Sequence, residues 1–227
     1  MSRFYVRLIL IMIGIFSALV LLIHAQPYDD HELRQLLLAD DCPAPCFLGI
    51  RPGVTTSKEA MRLLKANAWV ADAVTTDPES LYQIWWTWNE NAPDFLKNVP
   101  TNPNFPVNGE ILSTNEVVTR IIFTPRLTLG DIVLAKGLPS ASQLIFSGMI
   151  TTPDISVAAI ITLEYEADGF SVSGTKTCPY STDLWNTPAQ LTITNDFNGL
   201  SLGTVRSIDR ATFLNSIHRS SNLMCGF

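Results

Sequence analysis

Two short segments about seventy residues apart in this chain of 227 begin a helix in the same way, and that repetition constrains the fold more than any other feature. In the first, Pro52-Gly53-Val54-Thr55-Thr56-Ser57-Lys58-Glu59 leads into an apolar face of Ala60, Leu63 and Leu64. Thr55 or Thr56 offers an N-cap hydroxyl, and Glu59 stands where a capping box requires it for Thr56. In the second, Pro125 precedes Thr128 as the cap and Asp131 as the acid three residues later, with Gly137-Leu138-Pro139 as the stop. Aligning Thr56 with Thr128 also aligns Glu59 with Asp131 and Leu63 with Ala135.

Strand-like runs follow each helix. After the first come Leu81 to Trp88, Gly109 to Ser113 and Val117 to Thr124, the last two joined by the turn-forming Thr114-Asn115-Glu116. After the second come Gln143 to Ser147, Ile155 to Glu166, Phe170 to Thr175 and Gln190 to Thr194. Asp168-Gly169 makes a hairpin turn there, because glycine accepts a positive φ. The expected fold is α+β: two tandem units of a short helix packed on an antiparallel sheet, each burying one sheet face and leaving the other available. Residues 49–124 form the first unit and 125–227 the second.

This order resembles the tandem helix-and-sheet repeats of the beta-lactamase inhibitory protein and of the outer-membrane assembly lipoprotein BamE, whose Pro-Gly-x-Thr helix starts look like Pro52-Gly53-Val54-Thr55. The second copy lacks the Pro-Gly pair. Cys42 to Cys46, Gly49 to Thr56 and Leu127-Thr128-Leu129-Gly130-Asp131 together also resemble a set of uncharacterised exported bacterial proteins. These resemblances imply a fold and relatives, and no established activity.

The leader supplies the address. An apolar run from Leu8 to Ile23 follows Arg3 and Arg7, with no acid before it, while Asp29, Asp30 and Glu32 come after. That pattern is a secretory signal or a hydrophobic membrane anchor over residues 1–25, with the N-terminus cytoplasmic and everything later outside. Cleavage after Ala25 would release the body, and retention would leave it tethered. Residues 26–48 are expected to hold a spacer helix, Asp30 to Ala39, and the Cys42/Cys46 loop. Fifteen Lys and Arg against 21 Asp and Glu give a net charge of -6. With no basic stripe, nucleic acid is not an expected partner.

Four cysteines in an exported chain imply disulfides, with three connectivities open. Cys42 with Cys46 and Cys178 with Cys225 is the favoured set, the second worth roughly 3 to 4 kcal/mol on a chain-entropy model. No further ligand stands at metal spacing from either pair, so neither metal nor cofactor is expected.

The binding candidates are Tyr82, Trp85, Trp86 and Trp88, crowded into one predicted strand. Alternation puts Tyr82, Ile84, Trp86 and Trp88 on one face, expected as core beneath the first helix, and Trp85 on the other, where it offers rigid contact area to a protein or sugar. The proline- and asparagine-rich stretch between Asn89 and Asn108 has little to bury and is expected to be mobile. Gly199-Leu200-Ser201-Leu202-Gly203 matches a nucleophile elbow, with Asp209 and His218 as possible helpers. It lacks the alternating strand and helix units that an elbow requires. Glu164 and Glu166 alternate on one strand as an acid-base pair or a solvated face, and Asp196-Phe197-Asn198-Gly199 is a fragment of a calcium loop. The expectation is a non-enzymatic extracytoplasmic protein, tethered or secreted, that binds another extracytoplasmic protein through an open sheet face. The alternatives are an exported serine hydrolase using Ser201 and a glycan or cell-wall binder using Trp85 or Trp86.

Overall fold

The computed structural model of the protein describes residues 2–25, 42–75, 77, 79, 81–97, 107–151, 154–177 and 184–197. The chain divides into two compact units, Met1–Glu32 and Leu33–Phe227. In the first, α1 (Ser2–Ala25) is one continuous helix. Among the described residues no helix is long and apolar enough to cross a membrane. Side chains 2–4, 8–10, 19 and 22–25 of this helix lie outside those described. The expected spacer helix lies outside the described residues.

The second unit is α+β. Its strands are β1 (Val70–Thr75), β2 (Gln83–Trp88), β3 (Gly109–Thr114), β4 (Val117–Phe123), β5 (Ala141–Thr151), β6 (Asp154–Tyr165), β7 (Phe170–Thr177) and β8 (Gln190–Thr194). They form one antiparallel sheet in the order β1-β2-β3-β4-β8-β7-β6-β5. Helix α2 (Ser57–Ala66) precedes β1 and helix α3 (Leu129–Lys136) precedes β5, so a helix followed by four strands occurs twice in the chain. The boundary expected at 124/125 falls between β4 and α3, and the two sets of strands meet where β4 pairs with β8.

Both helices start where the capping residues put them. Thr56 accepts the Glu59 amide at 3.3 Å, and Thr128 accepts the Asp131 amide at 3.2 Å. Asp131 completes a capping box by accepting from the Thr128 amide at 2.9 Å. Each cap is also bridged to the sheet. Ser57 N donates to Glu116 O (2.9 Å) and Val118 N to Thr55 O (3.0 Å), while Leu129 N donates to Thr187 O (3.0 Å) and Ala189 N to Leu127 O (2.8 Å).

The sheet's pleat then decides which residues form the core. One rung reads Ala73, Trp86, Gly109, Phe123, Leu191, Val172, Leu163 from β1 to β6, and the next reads Ile84, Ile111, Ile121, Ile193, Phe170, Tyr165 from β2. All are buried, in one cluster with Ala60 and Leu64 of α2 and Leu129, Ile132 and Ala135 of α3. The helices therefore cover this face, and burial of so many apolar side chains is the main stabilising term. Phe47 stacks on Phe123 at 4.6 Å and meets Trp86 at 6.0 Å, so the chain after the cysteines closes the first half of the core.

Cys42 and Cys46 form a disulfide, with Cα atoms 5.9 Å apart. Their loop lies against the β6–β7 turn, where Gly169 has φ +71° and a side chain at that position would strike Pro45. Cys178 and Cys225 lie outside the described residues. At the far end of α3, Lys136 is buried against the Phe170 ring, 5.8 Å from its centroid, and pairs with Asp168 at 3.0 Å. The Tyr165 hydroxyl donates to Gly137 O at 3.0 Å. Burial, then the charge of Asp168, pushes this phenol up to about 12.

Three expectations need correction. Strand β1 was not anticipated, because Asp72 and a register shift between Val70 and Asp72 break the alternation that marks a strand. The stretch from Asn89 is not loose at its start: Leu96 is fully buried, and the side-chain Nδ2 of Asn89 donates to Ala68 O at 2.7 Å. Residues 98–106 lie outside the described set. Tyr82, expected in the core, is exposed: it lies just before β2, which begins at Gln83.

Candidate functional site

On the face away from the helices, one rung crosses all eight strands: Val74, Trp85, Glu110, Ile122, Thr192, Ser171, Glu164 and Ala141. Accessibility along it is uneven. Thr192, Ser171 and Glu164, on β8, β7 and β6, are buried, whereas Trp85, Glu110 and Ile122 are half-buried and Val74 is exposed. Along this rung the accessible part is the β1–β4 half, while on the next rung of the other half Gln143, Thr162 and Ser173 are half-buried and Gln190 is exposed.

The four aromatic candidates separate in space. Trp86 is 1% exposed and Trp88 packs edge-on against it at 5.7 Å, so both belong to the covered side of the sheet. Trp85 points the other way, between Val74 and Glu110 in register. Glu110 is oriented by Gln83, whose Nε2 donates to its carboxylate at 2.7 Å. Tyr82 is 57% exposed at the end of β2. Of the two residues offered for glycan binding, Trp86 has no accessible surface and Trp85 is half-buried on the opposite face.

The Glu164/Glu166 pair is also divided. Glu164 is 5% exposed and accepts from Gln143 Nε2 at 2.9 Å, whereas Glu166 is exposed beyond the end of β6. Burial, and secondarily the charge of Glu166, raises the Glu164 pKa above the ordinary carboxylate value. Ser201, Asp209 and His218 lie outside the described residues, as do Asn198 and Gly199 of the calcium-loop fragment. Among the described residues no group of three or more His, Cys, Asp or Glu side chains is arranged to hold a metal ion.

Sequence reasoning passed over Arg120. It sits on β4 in the rung Gln83, Leu112, Arg120, Thr194, on the face away from the helices. A register shift at Thr119 sets it just past a bulge, and Thr119 donates to Leu112 O at 3.1 Å. Beside it is a cavity of about 460 Å³ whose walls include Tyr82, Ser113, Thr114, Arg120, Thr194 and Asp196. No spacing rule flags a single arginine in a strand, and only the cavity makes it notable.

Comparison with known proteins adds little at this point. No family model matches the chain, and no solved structure matches it. The nonribosomal peptide synthetase GRA1 of Gibberella zeae is 26% identical to it over 117 residues, which is 51% of this chain and 1% of that protein. The chain thus spans a very small part of the relative's length, and the likeness does not place it in a family.

Proposed function

We propose that the protein is a non-enzymatic recognition protein of the extracytoplasmic side, tethered by or released from its leader, that engages another protein through the β1–β4 half of the uncovered sheet face. The observation that carries this reading is the position of Trp85. It is a large, half-buried aromatic with an exposed Val74 on one side and an oriented Glu110 on the other, on the face no helix covers. A rigid aromatic ringed by partly exposed groups is the usual anatomy of a binding hot spot. The matched hydrogen bonds at Thr56 and Thr128 support a tandem origin for the two helix-and-strand sets, and the basic, apolar leader supports export.

The test compares proteins captured by the full chain with those captured by Trp85→Ala and by a Glu110→Ala control. Loss of a specific partner in the Trp85 variant, with unfolding curves unchanged in shape, supports the reading. An unchanged partner set refutes it.

A further inference from the structure

The sheet has two outer edges, β1 and β5, and their chemistry differs. In β2 the carbonyl of Trp86 faces β3, where it accepts from Asn108 N at 2.9 Å. Ala73, opposite Trp86 in register, therefore turns its own N–H and C=O away from β2, to the outer side. That amide is already taken, because the Asp72 carboxylate accepts it at 2.8 Å. The register shift between Val70 and Asp72 adds an irregularity to the same edge. A charge and a bulge are the devices by which an edge strand avoids pairing with another chain. Strand β5 has neither. It pairs with β6 residue for residue from Ala141 to Thr151 without a register shift, and its 11 residues include no Asp, Glu, Lys, Arg or Pro. Glu164 O accepts from Ser140 N at 2.8 Å, so the Glu164 carbonyl faces β5 and Ala141, its register partner, bonds inward. By alternation the N–H and C=O groups of Leu144, Phe146, Gly148 and Ile150 are directed outward, and among the described residues no strand pairs with them.

We propose that the β5 edge is a strand-pairing site whose partner is the β5 edge of a second copy of the chain, the two strands running antiparallel about a two-fold axis. Charge permits a like partner: with no charged residue in β5, no register of a self-pair sets two like charges opposite each other. An antiparallel self-pair needs only the same surface twice, which is the isologous arrangement of two-fold dimers. The chain already contains a join of this kind, since β4 and β8, each the last strand of a helix-and-strand set, pair antiparallel edge to edge. A single strand edge buries little area, so the dimer is weak and forms reversibly with concentration. The proposal does not rest on the Trp85 surface, which lies in the other half of the sheet.

The test follows amide hydrogen exchange of the full chain, in detergent, over a range of protein concentrations. The amides of Leu144, Phe146, Gly148 and Ile150 are expected to exchange at least about 10-fold more slowly at the highest concentration than at the lowest, while Ala73 shows no such dependence. That pattern separates β5 pairing from any association through the apolar leader, which protects none of these amides. Isotope-filtered contacts between differently labelled copies then identify the partner strand, with β5 against β5 expected. Gly148→Pro removes an outward N–H while leaving the pairing with β6, because proline is tolerated on the solvent side of an edge strand, and it abolishes the concentration-dependent protection. Ile150→Lys puts a charge on the edge of both copies, so it also loses that protection and regains part of it in high salt, and it serves if the proline variant does not fold. Free exchange of the outward amides at every concentration overturns the proposal. So does protection that is independent of concentration, which means that residues of the same chain cover the edge. A folded Gly148→Pro or Ile150→Lys protein protected like the parent, or contact of β5 with any strand other than β5 of the second copy, overturns it as well.

Discussion

Replacing Gly109 with alanine tests whether Trp86 is a structural strut. The two residues face each other across β2 and β3, and the six-membered ring of the indole lies directly over the glycine. A Cβ on Gly109 would stand 2.8 Å from Trp86 Cε2 and nearer still to Cζ2 and Cη2. The ring has nowhere to retreat: it is 1% exposed, with Trp88 at 5.7 Å and Phe47 at 6.0 Å. Overpacking of this kind costs about 1–3 kcal/mol, against which removing a strand glycine returns about 0.5–1 kcal/mol. The expected net loss is therefore about 1–2 kcal/mol, read as a lower urea midpoint at constant slope.

The partner substitution sharpens the test. Trp86→Phe deletes the ring atoms that collide, and it also removes the indole N–H, which is buried without an acceptor. In that background Gly109→Ala has room and is neutral or stabilising, giving a coupling of at least about 1 kcal/mol in a double-mutant cycle. A neutral Gly109→Ala in the parent, or no coupling, would refute the packing argument and reopen Trp86 as a candidate surface residue.

Three further outcomes follow from the same geometry. Thr128→Ala removes one side of a two-way capping box and costs about 1 kcal/mol or slightly more, while Thr56→Ala, a one-way cap, costs less; urea midpoints rank them. Glu116→Gly stabilises by about 0.5–1 kcal/mol, because Glu116 takes φ +64° in the two-residue β3–β4 turn, where glycine carries no Cβ penalty. Glu164 has a raised pKa in the fold, so its carboxyl contributes most below the ordinary value of 4.5 and that contribution declines as pH rises through the window above it. Glu164→Gln abolishes that decline, so its melting temperature gains on the parent between about pH 4 and 7; a constant difference across that range would contradict the assignment.

Much of the framework was legible because local chemistry fixes it. Thr56 and Thr128 announce two helix starts, and the β-branched runs of β3, β4 and β6 to β8 keep their period of two, so those elements lie where the pattern puts them. What failed to show were features that depend on the third dimension. β1 was hidden because Asp72 and the neighbouring register shift disrupt its alternation. Tyr82 was expected in the core and is exposed, because alternation does not show where the cover of a face ends. The Trp85/Trp86 division was readable from alternation, but the burial of Thr192 and Ser171 on the uncovered face was not, since both read as ordinary polar strand residues. Arg120 was invisible for a related reason: the cavity beside it is built by neighbours distant in sequence.

The join at β4 and β8 explains why one helix-and-strand set is the better candidate for recognition. At its start β4 is bridged to the helix entry, Thr56 to Val117, and only from Arg120 onward does it pair with β8. In the other set the corresponding bridge, Thr128 to Pro188, lies just before β8, so the two sets fix their helices by the same device. Beyond that device their chemistry diverges. Around β6–β8 the uncovered side carries Glu164, Ser171 and Thr192, all buried, and beside them the polar Thr162, Ser173 and Gln190, which are at least partly accessible but offer no aromatic. Around β1–β4 it carries Val74, Trp85, Glu110 and Ile122, at least partly accessible, with the Arg120 cavity one rung away. The proposed binding surface is assigned to the first set on this ground, and substitution at Trp85 should therefore affect recognition more than stability.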